Sequence, residues 1–458
     1  MTTKSKQGEN RSPLTILKFG GSSLSSPEAI KGVISVIKSA TKRANILLLF
    51  SAMGKTTQKL LDLTNAIESG KSDQGSQPLA QIRAFHFSQL ASFGLSEKDS
   101  QCHRIHHLFD ELNKLFQGLT ILKDNNPKIQ DKILSYGELL SSSIMEIILI
   151  QQGVAAHWLD SRLVIITDTF FGKASPIMDL SQDRCQAVIR PILEAGEIPI
   201  LQGFIGSTKK GLTSTLGFEG SDYSATLFGN FLDATQIELH KTVDGVMSAD
   251  PSVEPQAKTV DAMNYQEAAA LTYLGASCIH AKAIGPASQK DIPVVLKNST
   301  NPKFPGTIIS NQGQTKGAKS ITSISNMVRV KIEQSGNPAN QLPPLLKWLQ
   351  FERVEIYHLE YSLSSYSILI KESSYQGIYE RTDMPDHSAT TGLSLISIVG
   401  NSIKENSYRN QIMEILTKEI SKLEHYKLLD HATSNAISLL VPDTATDQLL
   451  HSIHRQLF

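Results

Sequence analysis

Residues 14–23 read Leu-Thr-Ile-Leu-Lys-Phe-Gly-Gly-Ser-Ser, and this stretch decides the fold of the chain. It begins with an apolar run of strand length, and Pro27 to Ser39 follows as a helix with proline in its first turn. Asn45 to Phe50 is a second such strand, and Thr57 to Glu68 is a second helix. Strands that alternate with helices predict an α/β fold, with a mostly parallel sheet sandwiched by helices.

The same alternation continues along the chain. A helical pattern with one apolar face extends from Lys128 to Gln152. Further strands are predicted at 155–160, 162–167, 198–204, 236–240 and 293–296.

Three of the predicted strands run directly into loops of small residues. These loops are Gly-Gly-Ser-Ser at 20–23, Ser-Ala-Met-Gly at 51–54 and Ile-Gly-Ser at 205–207. Open α/β sheets bind ligands outside the carboxyl ends of their strands. The loops therefore predict a site for a polyanion at that edge of the sheet.

The composition changes after residue 310, where a polar, glycine-rich segment indicates a linker. Beyond it, a pattern of strand, helix, strand and strand occurs twice, which predicts two small α+β modules. The predicted organisation is a flexible tail at 1–13, a first domain at 14–312, a linker at 313–323, and modules at 324–385 and 386–458.

Composition excludes several classes of protein. The 458 residues include 44 Lys plus Arg and 44 Asp plus Glu, and this balance argues against binding to nucleic acid or to an anionic membrane. Apolar runs are of strand length, far short of the roughly 20 residues that a membrane helix needs. The three cysteines, Cys102, Cys185 and Cys278, form no disulfide or metal pattern, so we expect a cytoplasmic protein.

Four residues at three places in the sequence are candidates for chemistry. Lys18 ends a strand beside two glycines, where a lysine brings a charge to phosphate oxygens and glycine lets backbone N–H groups approach. Ser221 and Asp222 open a helix, whose N-terminus favours anions. Glu138 lies on a helix beside Gly137. Each position also has an ordinary interpretation: a strand-to-turn transition, a helix cap and a solvated glutamate.

Ordered motifs along residues 14–458 resemble those of aspartate kinases. In sequence order they are Lys-Phe-Gly-Gly-Ser-Ser at 18–23, Ser-Ala-Met-Gly-Lys-Thr-Thr at 51–57, Tyr-Gly-Glu at 136–138, Gln-Gly-Phe-Ile-Gly at 202–206, Thr-Leu-Gly at 215–217, Gly-Ser-Asp at 220–222, Val-Asp-Gly-Val at 243–246 and Ala-Asp-Pro at 249–251. The resemblance implies an amino-acid-kinase fold followed by two ACT modules. It also implies ATP-dependent phosphorylation of the aspartate β-carboxylate, at the head of lysine, threonine and methionine biosynthesis.

The resemblance assigns roles to individual residues. Lys18 and Asp222 would be catalytic. The substrate would be bound by Thr57, Glu138, Phe204 and Ser221, with Glu138 pairing with its ammonium group. The nucleotide would contact Lys18, Gly20, Gly21, Ser22, Lys241, Thr242 and Val246. ATP and Mg²⁺ are the implied cofactors, with no metal ligand from the protein. The implied partners are aspartate, an amino-acid effector at the ACT modules and a second copy of the chain in a homodimer.

One loop departs from the family pattern. The family usually has arginine and glycine where this chain has Phe218 and Glu219, and that arginine holds a substrate carboxylate. Loss of such a fork should weaken substrate binding by about 2–5 kcal/mol. Two alternatives therefore stay open: a catalytically weak relative that senses small molecules, and a kinase of the same fold that acts on a different carboxylate or a carbamate.

Overall fold

The computed structural model describes residues 13–70, 76–217, 220–312, 316–333, 346–347, 349–350, 352–362, 364–379, 387–403, 405–423, 425–429 and 435–458. The chain divides into two compact units. The first consists of Met1–Gly245 and Ile279–Asn311, and the second of Val246–Cys278 and Gln312–Phe458.

The strands and helices are numbered in chain order. The strands are β1 (Leu14–Phe19), β2 (Asn45–Phe50), β3 (Ala156–Trp158), β4 (Ile166–Thr167), β5 (Ile198–Gln202), β6 (Ile205–Thr208), β7 (Thr213–Thr215), β8 (Gln236–Lys241), β9 (Ala262–Met263), β10 (Val294–Asn298), β11 (Thr307–Ile309), β12 (Gly317–Glu333), β13 (His358–Tyr361), β14 (Ser365–Lys371), β15 (His387–Asn401), β16 (Lys427–Leu429) and β17 (Ala436–Pro442). The helices are α1 (Pro27–Ala40), α2 (Thr56–Glu68), α3 (Ser76–Ala91), α4 (His103–Leu122), α5 (Pro127–Leu134), α6 (Tyr136–Gln151), α7 (Met178–Glu194), α8 (Gly220–Leu232), α9 (Tyr265–Tyr273), α10 (Ile284–Gln289), α11 (Glu372–Tyr379), α12 (Asn406–Ile420) and α13 (Thr446–Leu457).

A largely parallel sheet forms the centre of the first unit, with strands in the order β3-β5-β2-β1-β8-β10-β11. Strand β1 lies between β2 and β8 and is parallel to both. Phe19, the last residue of β1, is in register with Phe50 of β2 and with His240 of β8. The carboxyl ends of these three strands therefore meet at one edge, which is where such sheets bind ligands.

Local signals explain how α1 forms beside this sheet. The hydroxyl of Ser26 caps the helix by accepting a hydrogen bond from the Ala29 N–H at 3.2 Å, and Pro27 occupies the first helical position. Ile30 and Ile37 are fully buried in the apolar core of the unit. Burial of each such side chain stabilises the fold by roughly 1.5–3 kcal/mol relative to exposure.

One helical stretch of the described residues, Pro127–Gln151, is long and apolar enough to cross a membrane by length and composition. However, 89% of its most apolar window is buried inside the protein, and Ile144 and Ile148 are fully buried. The core helix of a globular unit meets the same criteria. The stretch is therefore weak evidence for a membrane span.

Two predicted strands differ from the structure. The segment 162–167 begins in a 3-10 turn, Ser161–Leu163, and only Ile166–Thr167 pairs, in a small separate sheet with β6 and β7. The predicted strand 198–204 ends at Gln202, because Phe204 has a left-handed φ of 69° that interrupts the extended backbone. Short apolar runs do not distinguish a strand from a buried turn.

The second unit contains a six-stranded sheet in the order β13-β14-β12-β15-β17-β16. Its central strands β12 and β15 are long and antiparallel. Residues 317–324 of β12 pair with 395–401 of β15, whereas 329–332 pair with 387–390. Each half of this pair contributes to a different apolar core, one around Val330 and Ile368 and the other around Ile321 and Ile398. Strand β12 thus contributes to both apolar cores.

The predicted linker is wrong from Gly317 onward, because β12 begins there; residues 313–315 lie outside the described part of the chain. The polar residues directly after Gly317 suggest a linker, but they are buried in the structure. Lys319 and Ser320 are buried, and both have polar partners: Lys319 Nζ lies 2.9 Å from Glu267 Oε2, and the Ser320 hydroxyl donates to the Met247 carbonyl oxygen at 2.9 Å. The other domain limits stay predictions.

Candidate active site

Asp222 lies at the centre of a charged cluster in the first unit. Its Oδ1 lies 2.7 Å from Nζ of Lys18, and its Oδ2 lies 2.9 Å from Nζ of Lys241. The side chain of Asp222 is 1% exposed, that of Lys18 is 7% exposed and that of Lys241 is 21% exposed. One buried carboxylate therefore bridges two ammonium groups.

Three elements bring this cluster together. Lys18 lies near the end of β1, and Lys241 ends the neighbouring parallel strand β8. Asp222 lies in the first turn of α8, which packs against both strands. A negative charge in the first turn of a helix is favoured by the helix dipole.

The lysines keep Asp222 ionised. Burial by itself would raise the pKa of Asp222, but the positive charges of Lys18 and Lys241 outweigh burial and hold that pKa well below its usual range. Together the three groups carry a single net positive charge at neutral pH. Such a cluster, at the edge where the loops end, suits an anionic ligand.

Glu138, in α6, is a second buried carboxyl group. Its Oε1 accepts hydrogen bonds from the Ala52 N–H and the Thr57 hydroxyl, both at 3.3 Å. Its Oε2 is buried and makes no hydrogen bond to the part of the chain that the structure describes. Burial raises the pKa of Glu138 to about 8, although the two hydrogen bonds and the charge of Lys18 act in the opposite direction. A carboxyl group with these properties is a candidate for ligand binding.

Gly137 allows Glu138 to approach the loop at 51–57. A Cβ atom on Gly137 would lie 2.8 Å from Ala52 Cβ and 2.9 Å from Thr57 Oγ1. Both distances are shorter than ordinary van der Waals contacts. The first turn of α6 thus needs glycine at this position.

We expect Gly137→Ala to destabilise the protein by about 1–3 kcal/mol, because the added methyl group overpacks the contact with the 51–57 loop. Gly118→Ala in α4 is the matched control, since a Cβ atom there meets nothing within 4 Å. This control should be neutral or more stable by up to about 1 kcal/mol. Urea unfolding measures both, and equal stabilities would contradict the close packing of Gly137.

The structure brings two of the three predicted small-residue loops together, those at 20–23 and 51–54, and places the turn at Gly203 beside them. The third prediction, a loop at 205–207, is wrong because these residues belong to strand β6 of the small separate sheet. The Ser51 N–H donates to the carbonyl oxygen of Phe19 at 3.1 Å, and the Gly203 N–H donates to that of Phe50 at 3.3 Å. A Cβ atom on Gly21 would overlap a carbonyl oxygen of the second loop. The loops after β1 and β2 thus meet at one edge of the sheet, as the sequence predicts.

Phe204 and Ser221 lie where the turn between β5 and β6 meets α8. Phe204 is buried with a positive φ of 69°, and its N–H donates to the Ser224 hydroxyl at 2.9 Å. This backbone conformation costs a residue other than glycine about 1–3 kcal/mol and is common at binding sites. A Cβ atom on Gly203 would lie 2.6 Å from Ser221 Oγ, so this glycine admits Ser221 to the site.

The remaining predicted residues are more dispersed. Thr57 is half-buried through its contact with Glu138, whereas Ser22 and Thr242 are exposed. Val246 belongs to the second unit, where it is buried and its carbonyl oxygen accepts a hydrogen bond from the Val260 N–H at 2.8 Å. The roles assigned to these residues stay predictions.

Sequence reasoning missed two features of the site. It assigned Lys241 to the nucleotide without anticipating its ion pair with Asp222, and it assigned no role to Gly203. The position of Lys241 at a strand end was a usable signal, but its partner depends on how α8 packs. The departures at Phe218 and Glu219 lie outside the described residues.

Comparisons with known proteins identify the family to which the chain is similar. The amino acid kinase family matches residues 13–298. Aspartokinase 1, chloroplastic, of Arabidopsis thaliana is 28% identical over an alignment of 468 positions, which covers 97% of this chain and 80% of that protein. The lysine-sensitive aspartokinase 3 of Escherichia coli (strain K12) is 26% identical over an alignment of 467 positions, which covers 98% of this chain and 100% of that protein.

A solved structure is similar to almost the whole of this chain. The crystal structure of E. coli aspartokinase III in complex with aspartate and ADP, in the R-state, is similar with a TM-score of 0.87 at 25% identity, covering 97% of this chain and 100% of that chain. This likeness confirms the predicted fold class, an amino-acid-kinase-like sheet followed by ACT-like modules. The match to the amino acid kinase family spans more than half of this chain, and the chain therefore belongs to that family.

Proposed function

We propose that this chain is an aspartate kinase, which transfers the γ-phosphoryl group of ATP to the β-carboxylate of aspartate. The observation that carries the proposal is the pairing, in one site, of a cationic cluster at Asp222 with the buried Oε2 of Glu138. A substrate that is both an anion and an ammonium ion suits these two features. The names of the relatives that span this chain support the same reaction.

The reaction itself demands little covalent help from the protein. A β-carboxylate oxygen attacks the γ-phosphorus, the bond from that phosphorus to the bridging oxygen breaks, and ADP leaves. The product is an acyl phosphate. Positioning and neutralisation of charge therefore account for most of the catalysis.

Lys18 and Asp222 are the proposed catalytic residues. Lys18 stabilises the transferring phosphoryl group, and Asp222 holds its ammonium group at 2.7 Å. The other nucleotide contacts are proposed for the glycine turn and for the chain after β8, namely Gly20, Gly21, Ser22, Lys241, Thr242 and Val246.

The amino-acid substrate is proposed to bind on the Glu138 side of the site. Its ammonium group pairs with Glu138, and Thr57 orients that carboxyl through the hydrogen bond at 3.3 Å. Phe204 and Ser221 complete the binding surface next to α8.

Magnesium enters this proposal as part of the nucleotide substrate. Among the described residues, no group of three or more His, Cys, Asp and Glu side chains is arranged to hold a metal ion. Both oxygens of Asp222 already contact ammonium groups. We propose that Mg²⁺ would arrive on the phosphates of ATP and would partly neutralise their charge.

Further properties are proposed from the sequence resemblance and, for the compartment, from the pattern of the three cysteines. An amino-acid effector binds the ACT-like modules, the modules support a homodimer, and the protein is cytoplasmic. The domain limits proposed above, with the strand β12 beginning at Gly317, divide catalysis from regulation.

The proposal is tested by trapping the product. We expect native protein with MgATP and aspartate to form a hydroxamate when hydroxylamine is added, because hydroxylamine attacks acyl phosphates. ADP release should match hydroxamate formation. Controls replace aspartate by glutamate, by acetylated glutamate or by carbamate. Turnover of one of these instead would favour the same-fold kinase with another substrate, and ATP binding without turnover would favour the sensing protein.

A further inference from the structure

Asp131, in α5, carries a buried carboxyl group that the proposed mechanism does not use. The residue is 1% exposed. Its Oδ2 accepts hydrogen bonds from the Gly172 N–H at 2.8 Å and the Thr215 N–H at 2.9 Å, and its Oδ1 accepts one from the Thr215 hydroxyl at 2.7 Å. An ionised carboxyl group only accepts hydrogen bonds, so it can hold three donors at once. Asp131 therefore joins α5 to the turn at Gly172 and to the end of β7.

This carboxyl group is retained at a cost. Burial raises the pKa of Asp131, although the hydrogen bonds from Thr215 and Gly172 act in the opposite direction. A buried ionised group often contributes less to stability than an apolar residue of similar volume would. Such a group can be retained because it holds the backbone in one arrangement. Its contacts show which part of the backbone that is.

The segment held by Asp131 leads directly to the proposed binding surface. Thr215 ends β7, and the N–H of the next residue, Leu216, donates to the Phe204 carbonyl oxygen at 2.9 Å. A Cβ atom on Gly220 would lie 3.1 Å from Leu216 Cβ and 3.6 Å from Phe204 Cδ2. Gly220 opens α8 immediately before Ser221. The segment after β7 thus packs against the two residues that are proposed to complete the surface for the amino-acid substrate.

The same helical stretch carries the other carboxyl group on the substrate side. Asp131 and Glu138 both lie in Pro127–Gln151, about 10 Å or two turns apart along its axis. Glu138 accepts hydrogen bonds from the loop at 51–57, whereas Asp131 accepts them from the end of β7. One helical stretch therefore holds two segments that border the proposed substrate.

We propose that Asp131 is a positioning residue for the amino-acid substrate, which it serves by fixing residues 215–217 against Phe204 and Ser221. This inference rests on the proposed kinase function and deepens it. Asp131 forms and breaks no covalent bond and acts only through the backbone that it holds. Its loss lets the segment after β7 shift, which weakens binding of aspartate and leaves the nucleotide side of the site unchanged.

The chemistry of the three hydrogen bonds provides graded variants. Asp131→Ala removes every acceptor, whereas Thr215→Val removes only the hydroxyl bond. Asp131→Asn should preserve the arrangement, because its Oδ1 can accept from both N–H groups while its Nδ2 donates to the Thr215 hydroxyl. Ser214→Ala is the matched control. The Ser214 hydroxyl is buried, lies 2.7 Å from Thr167 Oγ1 and belongs to the opposite face of β7 from Thr215.

The experiment measures KM for aspartate and KM for ATP in these variants, with thermal unfolding as the measure of stability. We expect Asp131→Ala to raise KM for aspartate about 10- to 30-fold and to change KM for ATP by no more than about twofold. Thr215→Val should raise KM for aspartate about threefold, and Asp131→Asn and Ser214→Ala should stay within about twofold of native. Calorimetric titration of aspartate measures the same affinity without turnover.

The outcomes separate this inference from the proposed function. If native protein phosphorylates aspartate, the inference is overturned when folded Asp131→Ala keeps the native KM for aspartate, or raises both KM values by the same factor. Lower stability with unchanged KM values would assign Asp131 a structural role alone. If Asp131→Ala does not fold, Thr215→Val decides, and an unchanged KM for aspartate in that variant overturns the inference.

The titration covers a protein that does not turn aspartate over. If native protein binds aspartate without phosphorylating it, the proposed function fails. Weaker binding by Asp131→Ala, with native-like binding by Ser214→Ala, would then still support the positioning role. If native protein does not bind aspartate at all, the inference fails together with the proposed function.

Discussion

Lys18→Met is expected to lower kcat about 1000-fold or more while the protein stays folded. The side chain of Lys18 is 7% exposed and lies beside the glycine turn after β1, where the proposed function places the transferring phosphoryl group. A single positioned cation or donor at such a group contributes about 10²- to 10⁵-fold in rate. Methionine keeps most of the length and apolar surface of the lysine stem.

The fold should survive this change because Asp222 keeps a partner. Removal of one member of a buried ion pair usually costs about 3–5 kcal/mol, since it leaves an uncompensated charge. Here Lys241 Nζ remains 2.9 Å from Asp222 Oδ2. The loss of stability should therefore be smaller than that range.

Steady-state kinetics, thermal unfolding and ATP titration check the result together. A folded variant that binds ATP within about 10-fold of native, yet turns over at least about 1000-fold more slowly, supports the catalytic role. Lys31→Met, on the exposed face of α1, controls for loss of a lysine in the same unit. Near-native turnover of Lys18→Met would remove Lys18 from the proposed mechanism.

Local signals in the sequence predicted the elements around this site well. The predicted strands 14–19 and 45–50 agree with β1 and β2, and the helix beginning at Pro27 ends within one residue of its predicted end. These segments are apolar and flanked by caps or glycines, so short-range sequence determines them. The parallel order of the strands then brings their loops to one edge.

The parts that were not predicted depend on contacts distant in sequence. The ion pair of Lys241 with Asp222 requires β8 and α8 to pack together. Strand β12 was assigned partly to a linker because its buried Lys319 and Ser320 look like loop residues until their partners are known. Its division between two modules depends on pairing with residues about 70 positions away in the chain. Neither feature has a local sequence signal.

Glu138→Gln is expected to change substrate affinity and stability in opposite directions. The KM for aspartate should rise by about 30- to 1000-fold, because loss of the carboxylate that pairs with a buried ammonium group costs about 2–4 kcal/mol. The ligand-free variant should be more stable than native protein at alkaline pH. Glutamine resembles the protonated carboxyl in shape and needs no ionisation in this buried position.

The pH dependence follows from the raised pKa. Burial raises the pKa of Glu138 from 4.5 to about 8. Between these values the native protein holds a proton that the unfolded chain has released, so the stability of native protein falls as the pH rises through this window. Glutamine has no such proton. The stability difference between variant and native should grow from about pH 5 to about pH 9, reaching the order of a few kcal/mol.

The affinity of native protein for aspartate should increase over the pH range in which its stability decreases. The ionised form of Glu138 pairs with the ammonium group, so the native KM for aspartate should fall as the pH rises towards about 8. The variant KM should be high and independent of pH in that range. Saturation kinetics at several pH values and urea unfolding without ligand measure the two properties separately.

Glu111→Gln is the control for loss of a nearby carboxylate. Glu111 is 42% exposed and accepts a hydrogen bond from the Tyr136 hydroxyl at 3.1 Å. Its replacement should alter neither the KM for aspartate nor the pH dependence of that KM. If Glu138→Gln instead lowers stability and leaves KM unchanged, Glu138 serves packing alone. The expected opposite signs identify a binding residue, because a group kept for its ligand destabilises the free protein until that ligand compensates its charge.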